Sequence, residues 1–223
     1  MLNAVADAPD YQGWDNIVDR APCGVSSGVV AGTRIATAAG WKSVEVINAG
    51  EKVLTFDAGL QVVTKVTRTT LWDGDAACPV NFWPLSVPMG ALGNREEIKV
   101  LPCQSILVQS DRAEDIYGDP FSLIPARAIN GMKGVSRVAP DKNLQVVILH
   151  FATEQVIFTQ AGALFLCPAC RDFVGQINEE EEQPFYPLLR MDEARFLLTQ
   201  IEDEIDDACS FSPVEALAAA APA

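Results

Sequence analysis

Three short stretches hold side chains that could act as nucleophiles, acids or ligands: Ser26-Ser27-Gly28, Cys103-Gln104-Ser105 and Cys167-Pro168-Ala169-Cys170. A hydroxyl or thiol close to its own backbone nitrogen can attack the preceding carbonyl and convert an amide to an ester or thioester. Ser27 has such a group, and so does Cys23 further upstream. Gly28 has none. The same reaction needs an acid for the departing nitrogen, a task that suits an imidazole near neutral pH. The chain has one histidine, His150, inside the apolar run "VVILHF". A packed core or edge residue is the plainer reading of a histidine in that setting.

Cys167 and Cys170 form a Cys-x-x-Cys. Such a pair is redox-active in a thioredoxin-like βαβ setting and binds zinc beside a second pair. Here it follows a strand pattern and precedes an acidic stretch. Cys78, Cys103 and Cys209 lie at no close spacing to one another. Two loop cysteines are expected, with a regulatory disulfide or a zinc site as the alternatives. "GTRIATAAG" and "GALGNRE" contain no phosphate-loop pattern, so no cofactor is expected.

The elements that must position these residues are mostly strands. "TRIAT", "KSVEVI", "KVLTFD" and "LQVVTKVTRTTLW" alternate or run apolar between Gly turns, the mark of strands. "EEIKVL", "SILVQS", "LQVVILHF" and "EQVIFTQ" read the same way. Many short strands at this spacing predict an all-β domain. One short internal helix is expected in "SLIPARAING", with Pro125 in its first turn and Asn130-Gly131 as its stop. Trp41, Trp72 and Trp83 are expected in core or rim packing. An exposed "NFWPL" patch around Trp83 is the alternative.

A second helix is expected in "MDEARFLLTQIEDEIDD". Ala194, Leu197, Leu198, Ile201 and Ile205 share one face, and Asp192 and Glu193 lie in the first turn, where the helix dipole favours them. That stripe should dock, because an isolated helix of this length is marginal in water. The organisation that results is a partly disordered lead-in over 1–27, a β domain over 28–166, an acidic linker over 167–187 with Glu179–Glu182, and a C-terminal helix and tail over 188–223. Trp14 is a candidate pin for the lead-in.

The chain has 223 residues, 49% of them hydrophobic, and a formal net charge of −14. Half-apolar composition at this length supports a sizeable core. The acidity argues against a phosphate-binding basic face, so no nucleic acid is expected as partner. No apolar run approaches the roughly 18–20 residues of a membrane span, and Met1–Ala8 shows no secretory signal. A cytoplasmic location with reduced thiols is the default expectation, with unconventional export left open.

Taken together, "GVVAGTRIATAAGWKSVEVINAGEKVLTFDAGLQVV" resembles the Hint domain family, shared by hedgehog autoprocessing domains and inteins. It is most similar to the branch found in α-proteobacteria. The pattern stands here as Gly32-Thr33-Arg34-Ile35, Gly40, Val44-Glu45 and Gly50-Glu51-Lys52-Val53-Leu54-Thr55-Phe56-Asp57-Ala58-Gly59. It continues through "VPMGALGNREEIKVLPCQSILVQSD", "FSLIPARAINGMKGV" and "VVILHFATEQVIFTQAGALF". The resemblance implies a β horseshoe of two pseudo-symmetric halves whose ends meet at one site.

It also implies self-cleavage by a nucleophile four residues before the Gly of Gly-Thr, which is Gly28 here. The partner histidine would follow Pro102 by two or three residues, at Gln104 or Ser105. The family's histidine near the late strand aligns with Ile148, not His150. Both catalytic positions are therefore degenerate, at Gly28 and Ser105 (or Gln104). The expected function is a binding or structural module with a protein or peptide partner and no membrane insertion. The alternative is an autoprocessing domain with Ser27 or Cys23 as a displaced nucleophile.

Overall fold

A computed structural model describes residues 20–21, 24–170, 186 and 188–201. Trp14, Cys23, Glu179–Glu182, Ile205 and Cys209 lie outside the described residues. The first half of the β body holds β1 (Arg20–Ala21), β2 (Gly24–Val25), β3 (Val29–Val30), β4 (Arg34–Thr37), β5 (Gly40–Ser43), β6 (Lys52–Thr55), β7 (Gly59–Val62) and β8 (Lys65–Thr70). The second half holds β9 (Leu85–Val87), β10 (Ile98–Val100), β11 (Ser105–Gln109), β12 (Phe121–Pro125), β13 (Ser136–Arg137), β14 (Gln145–His150), β15 (Gln155–Phe158) and β16 (Leu164–Cys167). Two α-helices are described, α1 (Asp111–Tyr117) and α2 (Met191–Gln200).

The strands form two main antiparallel sheets. One runs β13-β9-β10-β3-β14-β8; the other runs β12-β11-β16-β15-β6-β4-β5, with β7 beside β6. Alternating side chains send each central strand to two cores. β11 sends Ile106 and Val108 to the main cluster and Leu107 to a second one. β14 sends Val147 and Leu149 to the main cluster, and Val146 and Ile148 to a third around Leu71 and Leu101. Period-two geometry makes this split unavoidable, and it explains why both strands read as unbroken apolar runs.

The two halves echo each other at their hairpins. Thr55, at the end of β6, donates its hydroxyl to the carbonyl of Gly59 at 2.8 Å. Thr159, after β15, donates likewise to the carbonyl of Ala163 at 2.8 Å. Both hydroxyls are buried, so each bond satisfies a group that would otherwise be costly to bury.

The structure departs from the sequence pattern in four places. "KSVEVI" is not one strand. β5 ends at Ser43 and a 3-10 turn covers Val44–Val46, which buries Val44 and Ile47 one turn apart and leaves Val46 exposed. "SLIPARAING" begins as β12, and only Ala126–Ile129 form a 3-10 helix. A residue before proline is biased to extended backbone, so Ile124 stays in the sheet and pairs with Ile106.

The internal α-helix is α1, which carries no apolar stripe and buries only Ala113. Its ends form it: Ser110 accepts from the amide of Arg112, and Gly118 closes it at φ 79°. Finally, the β body takes in residues before Gly28. The amide of Val25 donates to the carbonyl of Leu71, and Gly24 bridges Trp72.

Gly24 allows that bridge. A Cβ there would lie 2.7 Å from the Trp72 ring. The "NFWPL" stretch is no exposed apolar patch: Phe82 and Pro84 are buried, Trp83 is half-buried, and the Trp83 indole donates to the Cys78 carbonyl at 2.9 Å. Trp41 and Trp72 are half-buried. No described helix is long and apolar enough to cross a membrane.

α2 docks as its stripe requires. Ala194, Leu197, Leu198 and Ile201 are buried in the main cluster, whereas Phe196 is 55% exposed. The Glu193 carboxylate accepts from the amide of Arg190 at 2.9 Å, which caps the start. Leu198→Ala should lower the unfolding free energy by about 2–5 kcal/mol. Phe196→Ala should change it by less than about 0.5 kcal/mol. Urea denaturation of the two variants checks both. Equal, small effects would show that the stripe does not hold the helix.

Candidate functional site

The strand β3 places the residues that matter most. It pairs with β14 through Val30–Val146 and Val29–Val147, and with β10 through Val29–Val100. Gly28 is therefore fixed at the mouth of a strand held on both sides. The chain then leaves β10 through Leu101-Pro102-Cys103-Gln104, a turn closed by the amide of Gln104 donating to Leu101 at 3.0 Å. The turn lies against Ser26, whose carbonyl accepts from the amide of Cys103 at 2.9 Å.

Gln104 makes the closest polar contact with Gly28. Its side chain is 2% exposed. Oε1 accepts from the amide of Gly28 at 3.0 Å and from the Ser27 hydroxyl at 3.4 Å. Nε2 donates to the carbonyls of Leu166 at 2.8 Å and Ser105 at 3.0 Å. All four bonding capacities of the amide are used. The orientation is forced, because Gly28 offers a donor and Leu166 an acceptor.

Of the two residues that follow Pro102 at the right spacing, Gln104 reaches Gly28. Ser105 turns into β11, where it pairs with Pro125. Gln104 presents a lone pair to the Gly28 N–H, and its own N–H groups are directed away, to the Leu166 and Ser105 carbonyls. A group that helps a nitrogen depart must do the opposite and aim a proton at it.

Gly28 is confined as well as bare. Its φ is +123°, a region that L side chains rarely enter. A Cβ there would lie 2.7 Å from Val146 Cγ1, 3.0 Å from Ile148 Cγ1 and 3.3 Å from the Val147 carbonyl. A thiol or hydroxyl cannot be added at this position without moving β14. Ser27 sits beside it, half-buried, with its hydroxyl on Gln104. Cys23 lies outside the described residues.

His150 ends β14, two residues past Ile148. Its Nε2 lies 3.2 Å from the Thr67 hydroxyl. Burial, and then the Lys65 charge, hold its pKa below the usual histidine value, against a hydrogen bond to the Ala169 backbone. Cys167 is no loop cysteine. It closes β16 at 3% exposure, and burial pushes its thiol up to about 12. A thiol so protonated is a poor nucleophile and a poor ligand. Cys170 is half-buried, and its amide donates to the Phe151 carbonyl at 2.7 Å. Cys78, Cys103, Cys167 and Cys170 are all free thiols. Among the described residues no three His, Cys, Asp or Glu side chains converge on a metal-sized site.

One pair has no counterpart in the sequence reading. The Tyr186 hydroxyl donates to the Asp57 carboxylate in a short hydrogen bond. Asp57 lies in the "TFDAG" turn, and Tyr186 belongs to the segment after the acidic run. Burial raises the pKa of Asp57, a rise partly offset by the Tyr186 hydrogen bond, and the nearby Asp119 adds to it. The only hint in sequence is "YPLL", a small apolar burst between charged stretches.

Two measurements follow. Gln104→Ala would leave the Gly28 amide and the Leu166 carbonyl buried and unpaired, at about 1–3 kcal/mol each. Its urea midpoint should drop steeply, whereas Ser105→Ala should change little.

His150 sets a pH dependence. Its folded pKa is lowered, so the unfolded chain takes up the proton first as pH falls. The histidine costs nothing above its ordinary value near 6.5 and removes stability below it. Asp57, whose pKa is raised, acts in the opposite sense in the window above its ordinary value of 3.8. The comparison is therefore wild type against His150→Gln at each pH, from about 7.5 down to 5. The variant should lose less stability across that range. Parallel curves would overturn the assignment.

The model of the Hint domain family matches residues 28–164, more than half of the chain. No curated protein matches the sequence. Among solved structures, a bacterial intein-like domain from Clostridium thermocellum is 18% identical with a TM-score of 0.45, over 62% of this chain and 97% of that one. A splice-inactive variant of the AceL NrdHF class 3 split intein is 16% identical with a TM-score of 0.42, over 65% of this chain and 99% of that one. The gp41-1 intein is 11% identical with a TM-score of 0.40, over 63% and 98%. The match to the family model over more than half of its length shows that the chain belongs to the Hint domain family.

Proposed function

We propose that this chain is a Hint module that does not cleave itself and serves as a binding or structural unit for a protein or peptide partner. One observation carries the reading: the amide at the family's cleavage position belongs to a glycine with no room for a side chain, and a glutamine oxygen accepts its hydrogen bond. Nucleophile and proton donor are thus replaced by groups that fit each other. The closeness to the α-proteobacterial branch belongs to the same proposal and rests on the motif pattern alone. The net charge of −14 favours a protein or peptide over nucleic acid as partner.

A second reading keeps self-cleavage with Ser27 as nucleophile. It is favoured by the Ser26 carbonyl, which the Cys103 amide polarises at 2.9 Å. Attack by the Ser27 oxygen on that carbonyl would break the Ser26–Ser27 amide and form an ester. The nearest polar partner of the hydroxyl is the neutral Gln104 amide, a weak base with no proton for the leaving nitrogen.

Intact-mass spectrometry of the purified chain over days, with and without hydroxylamine or a thiol, separates the two. The full mass should persist. A fragment beginning at Ser27 would establish the second reading, and one beginning at Gly28 would overturn both accounts of the site. Gly28→Cys, alone or with Gln104→His, should also stay uncut and melt lower than wild type, because the new Cβ collides with β14. Rapid cleavage by either variant would show that the site opens.

A further inference from the structure

The segment that leads into α2 lies on the β body as a bound peptide would. β12 is the edge strand of its sheet. Leu188 bridges Leu123 in parallel, and the amide of Leu189 donates to the Leu123 carbonyl at 2.9 Å. Main-chain pairing at a free sheet edge is a common mode of peptide recognition.

Beside that edge, Tyr186 is 4% exposed. Its ring lies 5.9 Å from Phe121 and 6.2 Å from Phe56, both edge-on. Its hydroxyl meets Asp57 at the end of the pocket. The pocket thus has aromatic walls and a polar end, a shape for tyrosine over phenylalanine. The strap also lies outside the family match, whereas Phe56, Asp57, Phe121 and Leu123 all lie inside it. Fifteen residues, 171–185, separate Cys170 from Tyr186. Extended, they would reach about 50 Å at 3.3–3.6 Å each, so the tether does not dictate this seat. The contacts do.

We propose that the β12 edge with its Phe56–Phe121–Asp57 pocket is a peptide-docking groove, held closed in cis by Tyr186, Leu188 and Leu189, that accepts an extended Tyr-x-Leu-Leu peptide in trans when the strap lifts. α2 stays docked, so the exchange is local. The cis strap acts as a competitor at an effective concentration in the millimolar range. The groove is therefore occluded in the wild type. This holds whether or not the chain cleaves itself.

The test uses the full chain and a fluorescent peptide with the sequence Pro-Phe-Tyr-Pro-Leu-Leu-Arg, read by polarisation. Tyr186→Ala empties the pocket and leaves its walls intact. It should bind the peptide saturably, and wild type should bind at least ~10-fold more weakly. A peptide with Phe in place of Tyr should bind Tyr186→Ala about 10-fold more weakly, because it lacks the hydroxyl that donates to the Asp57 carboxylate, a hydrogen bond to a charged group. No binding by a folded Tyr186→Ala, or equal binding of the two peptides, would overturn the proposal.

If Tyr186→Ala shows no cooperative unfolding, Tyr186→Phe replaces it, with hydrogen exchange as the readout. Faster exchange confined to the amides of Leu188 and Leu189, with α2 still protected, supports a strap that lifts locally. Unchanged protection there overturns it.

Discussion

A single buried amide ties this molecule together. Gln104 links the segment before β3, the start of β11 and the strand β16, and it uses every donor and acceptor it has. Its own carbonyl accepts from Ala126, so the 3-10 turn after β12 is held by the same residue. Three pieces of chain distant from it in sequence, before β3, in β16 and after β12, are therefore fixed relative to one residue. A buried polar group in that position is stabilising only while fully paired, since each orphaned partner would bear its whole desolvation cost. The surrounding strands must keep their register for this to hold.

The same constraint decides which residue can stand at Gly28. Val146 and Ile148 fill the space where a Cβ would go, and the backbone turns to a positive φ to bring its N–H onto Gln104. Glycine is dictated there by both torsion and contact. The pairing of glycine with glutamine is one arrangement. A side chain at 28 would push against β14, whose Val147 and Leu149 belong to the main core. The residue allowed at this place and the packing of the central strand are thus coupled.

The far side of the second sheet solves a different problem. β12 would end the sheet as an open edge, and open edges invite pairing with other chains. The strap before α2 covers it, with Tyr186 over the aromatic cluster and Leu189 bonded to Leu123. α2 then completes the main core with Leu197, Leu198 and Ile201. Tyr186, Leu188 and α2, all past the matched family region, are thus part of the folded body.

Local pattern determined most of the elements. Alternation and apolar runs between glycine turns marked β4, β6, β8, β10, β11, β14 and β15, and the i, i+3, i+4 stripe marked α2, because burial of a face leaves its period in the sequence. α1 buries only Ala113 and so shows only a cap and a glycine stop, and β12, buried at Ser122, Leu123 and Ile124, hides behind a proline that mimics a helix start. The sequence also marked Gly28 and the Pro102-x-Gln104-Ser105 stretch as the pair to watch.

Only tertiary contact decided that Gln104 and not Ser105 faces Gly28, that no side chain fits at Gly28, and that Asp57 meets Tyr186 across 129 positions. Those facts depend on distances between strands brought together by folding. No local spacing encodes them, since a hydrogen-bond partner 76 residues away leaves no periodic trace near either residue.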